Sequence, residues 1–243
     1  MRRTAYLAYG VLCYLMFFVV FVYAIGFIGN ILVPNSLDGV PTIPTFAAIA
    51  VNLGLLTLFA VQHSLMARPT FKRWWTKIVP EPLERSTYVL FSNLAMIAIF
   101  AFWQPIGGVV WTIPCIYGQV TMHTLYGLGW FIVFYTTCLL NHFELFGLRQ
   151  VYLYFRGKPY TQLPLNEPSL YRYVRHPLYV GWLMVFWFTP TMTISHLFFA
   201  VGTTAYILIA IRLEERNLCD ELPGYREYRK RVPMLVPSLR SNA

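Results

Sequence analysis

Four apolar runs, each about as long as a helix that crosses a bilayer, constrain this chain more than any other feature of its sequence. They cover residues 5–28, 46–67, 86–103 and 122–146. A fifth run, 178–211, is too long for one crossing and is interrupted by Thr189, Pro190 and Thr191, so it predicts a helical hairpin. We therefore expect an all-α fold: a polytopic membrane helical bundle with four full spans, the C-terminal hairpin and a cytoplasmic helical tail.

The distribution of charge supports this class and predicts an orientation. Only 12% of the residues are charged, against about 25% in soluble domains. The net charge of +9 would suit nucleic acid, but all 19 Lys and Arg residues lie at the N terminus, between the second and third runs, after the fourth run, or after the hairpin. The loops 29–45 and 104–121 contain none. This is the positive-inside pattern, which predicts cytoplasmic termini and membrane lipids rather than nucleic acid as partners.

Polar residues are concentrated on both sides of the hairpin. The string RYVRHPLYVGW leads into its first helix, where proline suits the first turn because its missing N–H has no helical partner. The string IRLEERNLCDELPGYREYRKRVPMLVP ends its second helix and begins the tail. Because a hairpin returns the chain to the face it left, Arg175 and His176 are predicted to meet Glu214 and Glu215 at the cytoplasmic rim.

The combination of RHPLYVG, a downstream Glu-Glu pair and GYREYRKRVPMLVP resembles the isoprenylcysteine carboxyl methyltransferase superfamily, which includes phospholipid methyltransferases. The resemblance implies a membrane enzyme that uses S-adenosylmethionine and releases S-adenosylhomocysteine. The stretches VQHSLMARPTFKRWWTKIVPEPLERSTYVL and NHFELFGLRQVYLY resemble the branch that contains bacterial methanethiol S-methyltransferases and NnrU proteins. This branch implies methylation of methanethiol to dimethyl sulfide in the bacterial cytoplasmic membrane. An isoprenylcysteine or phospholipid methyltransferase, or a non-catalytic NnrU-like protein of nitrogen-oxide metabolism, remains an alternative.

The parts of the implied cofactor select different side chains. A carboxylate suits Arg and His at a helix start, amino and ribose hydroxyl groups suit carboxylates, and adenine and sulfonium suit aromatic faces. The predicted cofactor residues are Arg175, His176, Pro177, Tyr179, Gly181, Glu214, Glu215, Tyr225 and Tyr228, with Trp182 as a further aromatic candidate. Gly181 is included because glycine permits close backbone approach.

Each cofactor assignment has a plainer alternative. Arg175 is also typical of the positive charges that orient a membrane span, and the tyrosines are typical of the aromatic belt at the membrane interface. The glutamates suit a solvated helix end paired with Arg212 and Arg216. The cations 226 and 229–231 suit lipid headgroups.

The thiol substrate requires its own site, because an ordinary thiol titrates at about 8.5 and is a weak nucleophile when protonated. Ionisable residues at membrane depth usually face a cavity or each other. His63 near the end of the second run, with His142 or Glu144 near the end of the fourth and Arg85 and Tyr88 from the third, is predicted to activate the thiol. A structural hydrogen-bond network is the competing interpretation. The spacing of these residues does not indicate a metal site.

We expect a single domain, 1–243, in which residues 1–150 form the substrate side and residues 151–243 carry the cofactor. Gly127 and Gly129 in the fourth run predict a close helix contact, because small residues let helix backbones approach each other.

Overall fold

A computed structural model describes residues 1–161, 169–221 and 224–237 of the chain. The letters LNEP before the Arg-His-Pro motif and the letters LP within the tail motif lie outside the described residues. The longer helices are α1 (Arg2–Gly29), α2 (Thr45–Met66), α4 (Glu84–Phe102), α5 (Ile116–Leu139), α8 (Pro177–Trp187) and α9 (Ile194–Glu221). The short helices are α3 (Pro69–Trp75), α6 (His142–Leu145), α7 (Leu148–Phe155) and α10 (Tyr225–Arg231), with 3₁₀ turns at Glu81–Leu83 and Ser169–Arg172.

The predicted all-α membrane class is confirmed. Four helical segments are long and apolar enough to cross a membrane: α1, α2, Glu81–Phe102 and Ile194–Asp220. The chain is therefore a multi-pass membrane protein. Helix α5, the predicted fourth span, has 24 residues but is not among these four.

The fourth run was predicted to continue to residue 146, and this boundary is wrong. Helix α5 ends at Leu139, and Asn141 then adopts a left-handed backbone conformation with φ of 67°. This conformation cannot continue a right-handed helix. A hydropathy pattern misses the break because Phe143, Leu145 and Phe146 beyond it are also apolar.

The predicted hairpin is confirmed. Helix α8 ends at Trp187 before Pro190, and α9 begins at Ile194. The two helices pack through Phe186 and Phe199, whose ring centroids are 5.4 Å apart. The chain between them forms a strand that the sequence did not predict, β2 (Thr191–Thr193), which pairs with β1 (Val109–Thr112) in a two-stranded sheet.

The described residues form two compact units that alternate along the chain. Unit 1 comprises Met1–Val110, Leu140–Leu163 and Thr193–His196. Unit 2 comprises Trp111–Leu139, Pro164–Met192 and Leu197–Ala243.

In unit 1, α1 packs on α4 and α7. Helix α2 also packs on α4. Its core includes Phe27, Leu37 and Ile99, all at most 1% exposed. Burial of such side chains stabilises the fold by about 1.5–3 kcal/mol each.

Unit 2 is centred on the contact between α5 and α8. A methyl group added at Gly181 would lie 2.9 Å from the carbonyl oxygen of Gly129, and one at Gly129 would lie 3.0 Å from that of Gly181. The packing prediction is thus confirmed for Gly129. It is wrong for Gly127, where an added methyl group would meet nothing within 4 Å.

Candidate active site

The Arg-His-Pro corner in unit 2 is fixed to the C-terminal tail by its backbone. The amide of Arg175 donates to the carbonyl of Pro233 at 2.9 Å, and that of His176 donates to Met234 at 3.2 Å. Pro177 occupies the first turn of α8, as expected. No sequence pattern predicts this pairing, because irregular backbone has no periodicity.

Glu215 is the centre of the charged cluster at this corner. One of its oxygens accepts from Arg175 Nε at 2.7 Å and lies 3.0 Å from His176 Nε2. The Arg175 and Glu215 side chains are each only 10% exposed. Arg175 Nη1 also donates to the carbonyls of Arg229 and Val232 in the tail. The structure therefore brings the Arg-His corner to Glu215, one of the two predicted glutamates.

Glu214 differs from its neighbour although the two are adjacent in sequence. It is exposed and accepts the hydroxyl of Tyr179 at 3.2 Å. The alternative in which the glutamates pair with Arg212 and Arg216 is not what the structure shows. Among the side chains that the structure describes, the ion pairs of Glu215 are with Arg175, His176 and, at 3.9 Å, Arg229.

The two tail tyrosines are buried rather than displayed on a surface. Tyr225 and Tyr228 are 5% and 7% exposed and form a small core with Val232. The Tyr228 hydroxyl donates to the carbonyl of Tyr171 at 2.7 Å. Burial and the charge of Glu215 raise the pKa of Tyr225, so its hydroxyl remains protonated. Both side chains hold α10 in place.

Gly181 and Trp182 face α5. The backbone that approaches Gly181 is that of Gly129, and Trp182 makes an edge contact with Trp130 at 5.2 Å. The close backbone approach predicted at Gly181 is therefore made by helix α5.

In unit 1, His63 on α2 meets Tyr88 on α4. The Tyr88 hydroxyl lies 3.0 Å from Nδ1 and 2.9 Å from Nε2 of His63, and Ser92 Oγ lies 3.2 Å from Nδ1. Phe59 stacks on the imidazole with centroids 5.2 Å apart. Ser92 was not predicted, although its spacing of four residues from Tyr88 places both on one face of α4.

Arg85 joins this pair at the start of α4. Its guanidinium lies 5.8 Å from the centroid of the Tyr88 ring. Gly147, with φ of 85°, lies against the backbone of Arg85 and Ser86, where an added methyl group would be 2.7 Å from the Ser86 nitrogen. This contact brings the corner between α6 and α7 to the start of α4.

His142 is buried in an aromatic cluster. Its Nε2 lies 2.9 Å from the Tyr14 hydroxyl, and its ring packs against Phe146 at 4.8 Å and Phe17 at 6.4 Å. Burial lowers the pKa of His142, so the imidazole is neutral at physiological pH. Its partner Tyr14 is on α1, and no sequence pattern signalled this pairing.

Glu144 accepts hydrogen bonds from three side chains. Arg149 Nη1 and Gln150 Nε2 each lie 2.8 Å from its carboxylate, and the Tyr160 hydroxyl donates to it as well. The pKa of Tyr160 is raised, because burial and Glu144 outweigh the opposing effects of Gln150 and Arg85. The structure thus brings His63, Tyr88 and Arg85 together. Glu144 and Arg85 both act electrostatically on Tyr160. His142 instead bonds to Tyr14 on α1.

Within the described residues, no group of three or more His, Cys, Asp or Glu side chains is arranged to hold a metal ion.

Curated proteins similar to this chain include methanethiol S-methyltransferases and nurim. The chain is 54% identical over 239 residues to a methanethiol S-methyltransferase from Crocosphaera subtropica, covering 98% of this chain and 93% of that protein. It is 49% identical to a methanethiol S-methyltransferase from Mycobacterium tuberculosis, covering 98% of each. It is 33% identical to nurim from Sus scrofa over 179 residues, covering 70% of this chain and 68% of nurim. No protein-family model and no solved structure matches the chain.

Proposed function

Because the chain belongs to the family of methanethiol S-methyltransferases, we propose that it transfers a methyl group from S-adenosylmethionine to methanethiol, yielding dimethyl sulfide and S-adenosylhomocysteine. In this reaction the methyl carbon leaves the sulfonium and bonds to the thiol sulfur, and the thiol proton passes to a base or to water. The observation that carries the proposal is the cluster of Arg175, His176 and Glu215, in which the motif residues of the Arg-His-Pro corner and the glutamate pair meet.

The residues of unit 2 fit such a cofactor. Arg175 uses Nε and Nη1 within the protein, and its Nη2 has no partner among the described residues, which leaves a donor for a carboxylate. Glu214 is exposed and accepts a hydrogen bond from the Tyr179 hydroxyl, and its exposed carboxylate is available to an amino group or a ribose hydroxyl. Glu215 positions Arg175 and His176 by accepting from both.

The cofactor supplies an electrophilic methyl group on a positive sulfur. The protein must align the reacting atoms, and such positioning contributes on the order of 7–11 kcal/mol. Because the negative charge of a thiolate and the positive charge of a sulfonium cancel as the bond forms, exclusion of water favours the reaction.

The residues of unit 1 provide the thiol side of the proposal. His63 accepts or donates a proton through a ring already hydrogen-bonded to Tyr88, which orients it. The cation of Arg85 beside Tyr88 favours a thiolate over a thiol. Glu144 and His142 support this side, Glu144 by fixing Arg149 and Tyr160, and His142 by fixing α6 against α1.

For the location, we propose the bacterial cytoplasmic membrane, with both termini and the Arg-His-Pro corner on the cytoplasmic side. The support is the positive-inside distribution of all 19 Lys and Arg residues, together with four helical segments long and apolar enough to span.

The decisive test uses purified full-length protein with methanethiol and S-adenosylmethionine. We expect dimethyl sulfide in the headspace and an equal amount of S-adenosylhomocysteine in solution. A folded protein that yields neither product, or that methylates only an isoprenylcysteine peptide or a phospholipid, contradicts the proposal.

A further inference from the structure

A cavity of about 720 Å³ lies in unit 2 where the end of α9 faces α10. Its lining consists of charged side chains and one cysteine: Arg175, Arg212, Glu215, Arg216, Cys219, Asp220, Arg226, Arg229 and Lys230. We infer that this cationic cavity binds a phosphate group, carried either by an anionic lipid headgroup or by a soluble phosphate. The cavity shares Arg175 and Glu215 with the proposed cofactor residues, but the inferred ligand is a phosphate, which S-adenosylmethionine lacks.

The charges of the cavity do not balance within the protein. Six of its lining residues are cations and two are acids. The carboxylate of Glu215 is already bound by Arg175 and His176 and lies 3.9 Å from Arg229. Lys230 pairs with Glu227, which does not line the cavity, but both side chains are exposed, so this pair contributes little. Asp220 lies 3.6 Å from Arg226, with both side chains about two-thirds exposed or more, so this pair contributes little. The cavity therefore has a surplus of positive charge that an anion would neutralise.

Arg212 and Arg216 are the clearest sign of a missing anion. They lie four residues apart on α9, and both are exposed. Like charges at this spacing repel each other and destabilise a helix. Among the described side chains, no carboxylate lies within ion-pair distance of either guanidinium. A phosphate between them would turn this repulsion into attraction.

Phosphate suits this lining better than a carboxylate or chloride. Guanidinium groups donate two parallel hydrogen bonds to a carboxylate or a phosphate alike, but only a phosphate has further oxygens for a second set of donors, and this cavity offers guanidinium groups from two helices. Arg212 and Arg216 are on α9, and Arg226 and Arg229 are on α10. Basic clusters that follow a membrane span attract anionic headgroups. The apolar segment Ile194–Asp220 ends at this cavity.

Binding at this cavity has a structural route to the Arg-His-Pro corner. Arg229 lines the cavity, and its carbonyl accepts from Arg175 Nη1 at 2.9 Å. A bound phosphate would hold Arg229 and so hold the tail on Arg175.

The test compares full-length wild-type protein with the double variant Arg212→Gln, Arg216→Gln. Native mass spectrometry follows the binding of phosphatidylglycerol and of zwitterionic phosphatidylcholine, and calorimetry follows the binding of inorganic phosphate. We expect the wild type to prefer phosphatidylglycerol or to bind phosphate, and the double variant to bind either about tenfold more weakly. Phosphatidylglycerol that inorganic phosphate does not displace identifies a lipid site, whereas displacement identifies a site open to soluble phosphates.

The matched control is Arg156→Gln, Lys158→Gln, which removes two exposed cations of unit 1 that do not line the cavity. It should bind like the wild type, and thermal unfolding should show that all three proteins are folded. The inference is wrong if the wild type binds neither ligand, if the cavity variant binds as tightly as the wild type, or if the control loses as much affinity as the cavity variant.

Discussion

The predicted cofactor residues of unit 2 and the predicted thiol residues of unit 1 are held in different ways. In unit 2, the buried carboxylate of Glu215 pairs with Arg175 and His176 of the Arg-His-Pro corner, which lie 40 and 39 residues earlier in the chain. In unit 1, His63 is held by hydroxyl groups of Tyr88 and Ser92, and the guanidinium of Arg85 lies 5.8 Å from the centroid of the Tyr88 ring. The first arrangement fixes charges, and the second leaves a histidine held by neutral partners.

This difference has a chemical meaning within the proposed function. A charged, polar cofactor requires complementary charges whose positions are fixed before it binds. A thiol requires a base that is free to take up a proton, and neutral hydrogen-bond partners leave that freedom. Substitutions in unit 2 should therefore lower stability and cofactor affinity, whereas substitutions in unit 1 should lower turnover.

The largest effect is expected from Glu215→Ala. The substitution leaves Arg175 and His176 without their shared acceptor, and breaking a buried pair costs roughly 3–5 kcal/mol. Thermal unfolding should shift to a lower temperature, and calorimetry should show loss of S-adenosylmethionine binding. The control Glu227→Ala removes an exposed partner of Lys230 and should change neither measurement. An unchanged unfolding temperature for Glu215→Ala would refute the role of this pair in holding the corner.

The next effect separates the units most sharply. His63→Ala should lower kcat about 10²–10⁴-fold, the usual contribution of a general base, while cofactor affinity stays unchanged. Dimethyl sulfide formation and calorimetry measure the two quantities on the same preparation. The control is His123→Ala, an exposed histidine on α5. Equal losses of turnover in both variants would show that His63 has no special part in the chemistry.

A smaller effect is expected at the contact between α5 and α8. Gly129→Ala forces a methyl group to within 2.9 Å of Met184 Cβ, and overpacking of this kind costs about 1–3 kcal/mol. Because α8 carries the Arg-His-Pro corner at its start, cofactor affinity should fall together with the unfolding temperature. Gly127→Ala, two residues away and facing open space, is the matched control and should be neutral. A similar result for both glycines would contradict the packing described here.

The smallest effect concerns pH. Burial lowers the pKa of His142, so the folded protein resists a proton that the unfolded chain accepts near pH 6.5. Stability should therefore fall as the pH drops below about 6.5, and His142→Gln should make the unfolding temperature less dependent on pH. Unfolding scans at about pH 7.5 and about pH 5.5 measure this, with His123→Gln as the control. An identical pH dependence in wild type and His142→Gln would count against a buried neutral histidine.

Much of the fold was predictable from one-dimensional patterns. The apolar runs located α1, α2, α4 and both helices of the hairpin, because membrane spans require long stretches without charge. The end of α5 was missed because a left-handed residue at Asn141 does not change the average hydropathy around it. The family resemblance that the ordered motifs indicate is confirmed by relatives that are 54% and 49% identical over 98% of this chain.

The sequence by itself determined that Arg175 and His176 would meet the glutamate pair, because a helical hairpin can only return to the side from which it started. Only the tertiary structure decided that Glu215 is the buried acceptor while Glu214 is exposed, and that His142 bonds to Tyr14 rather than to His63's partner Tyr88. The physical reason is rotational: adjacent residues on a helix point about 100° apart, so their partners depend on how each helix is turned against its neighbours. Hydropathy records the length of a helix but not that rotation.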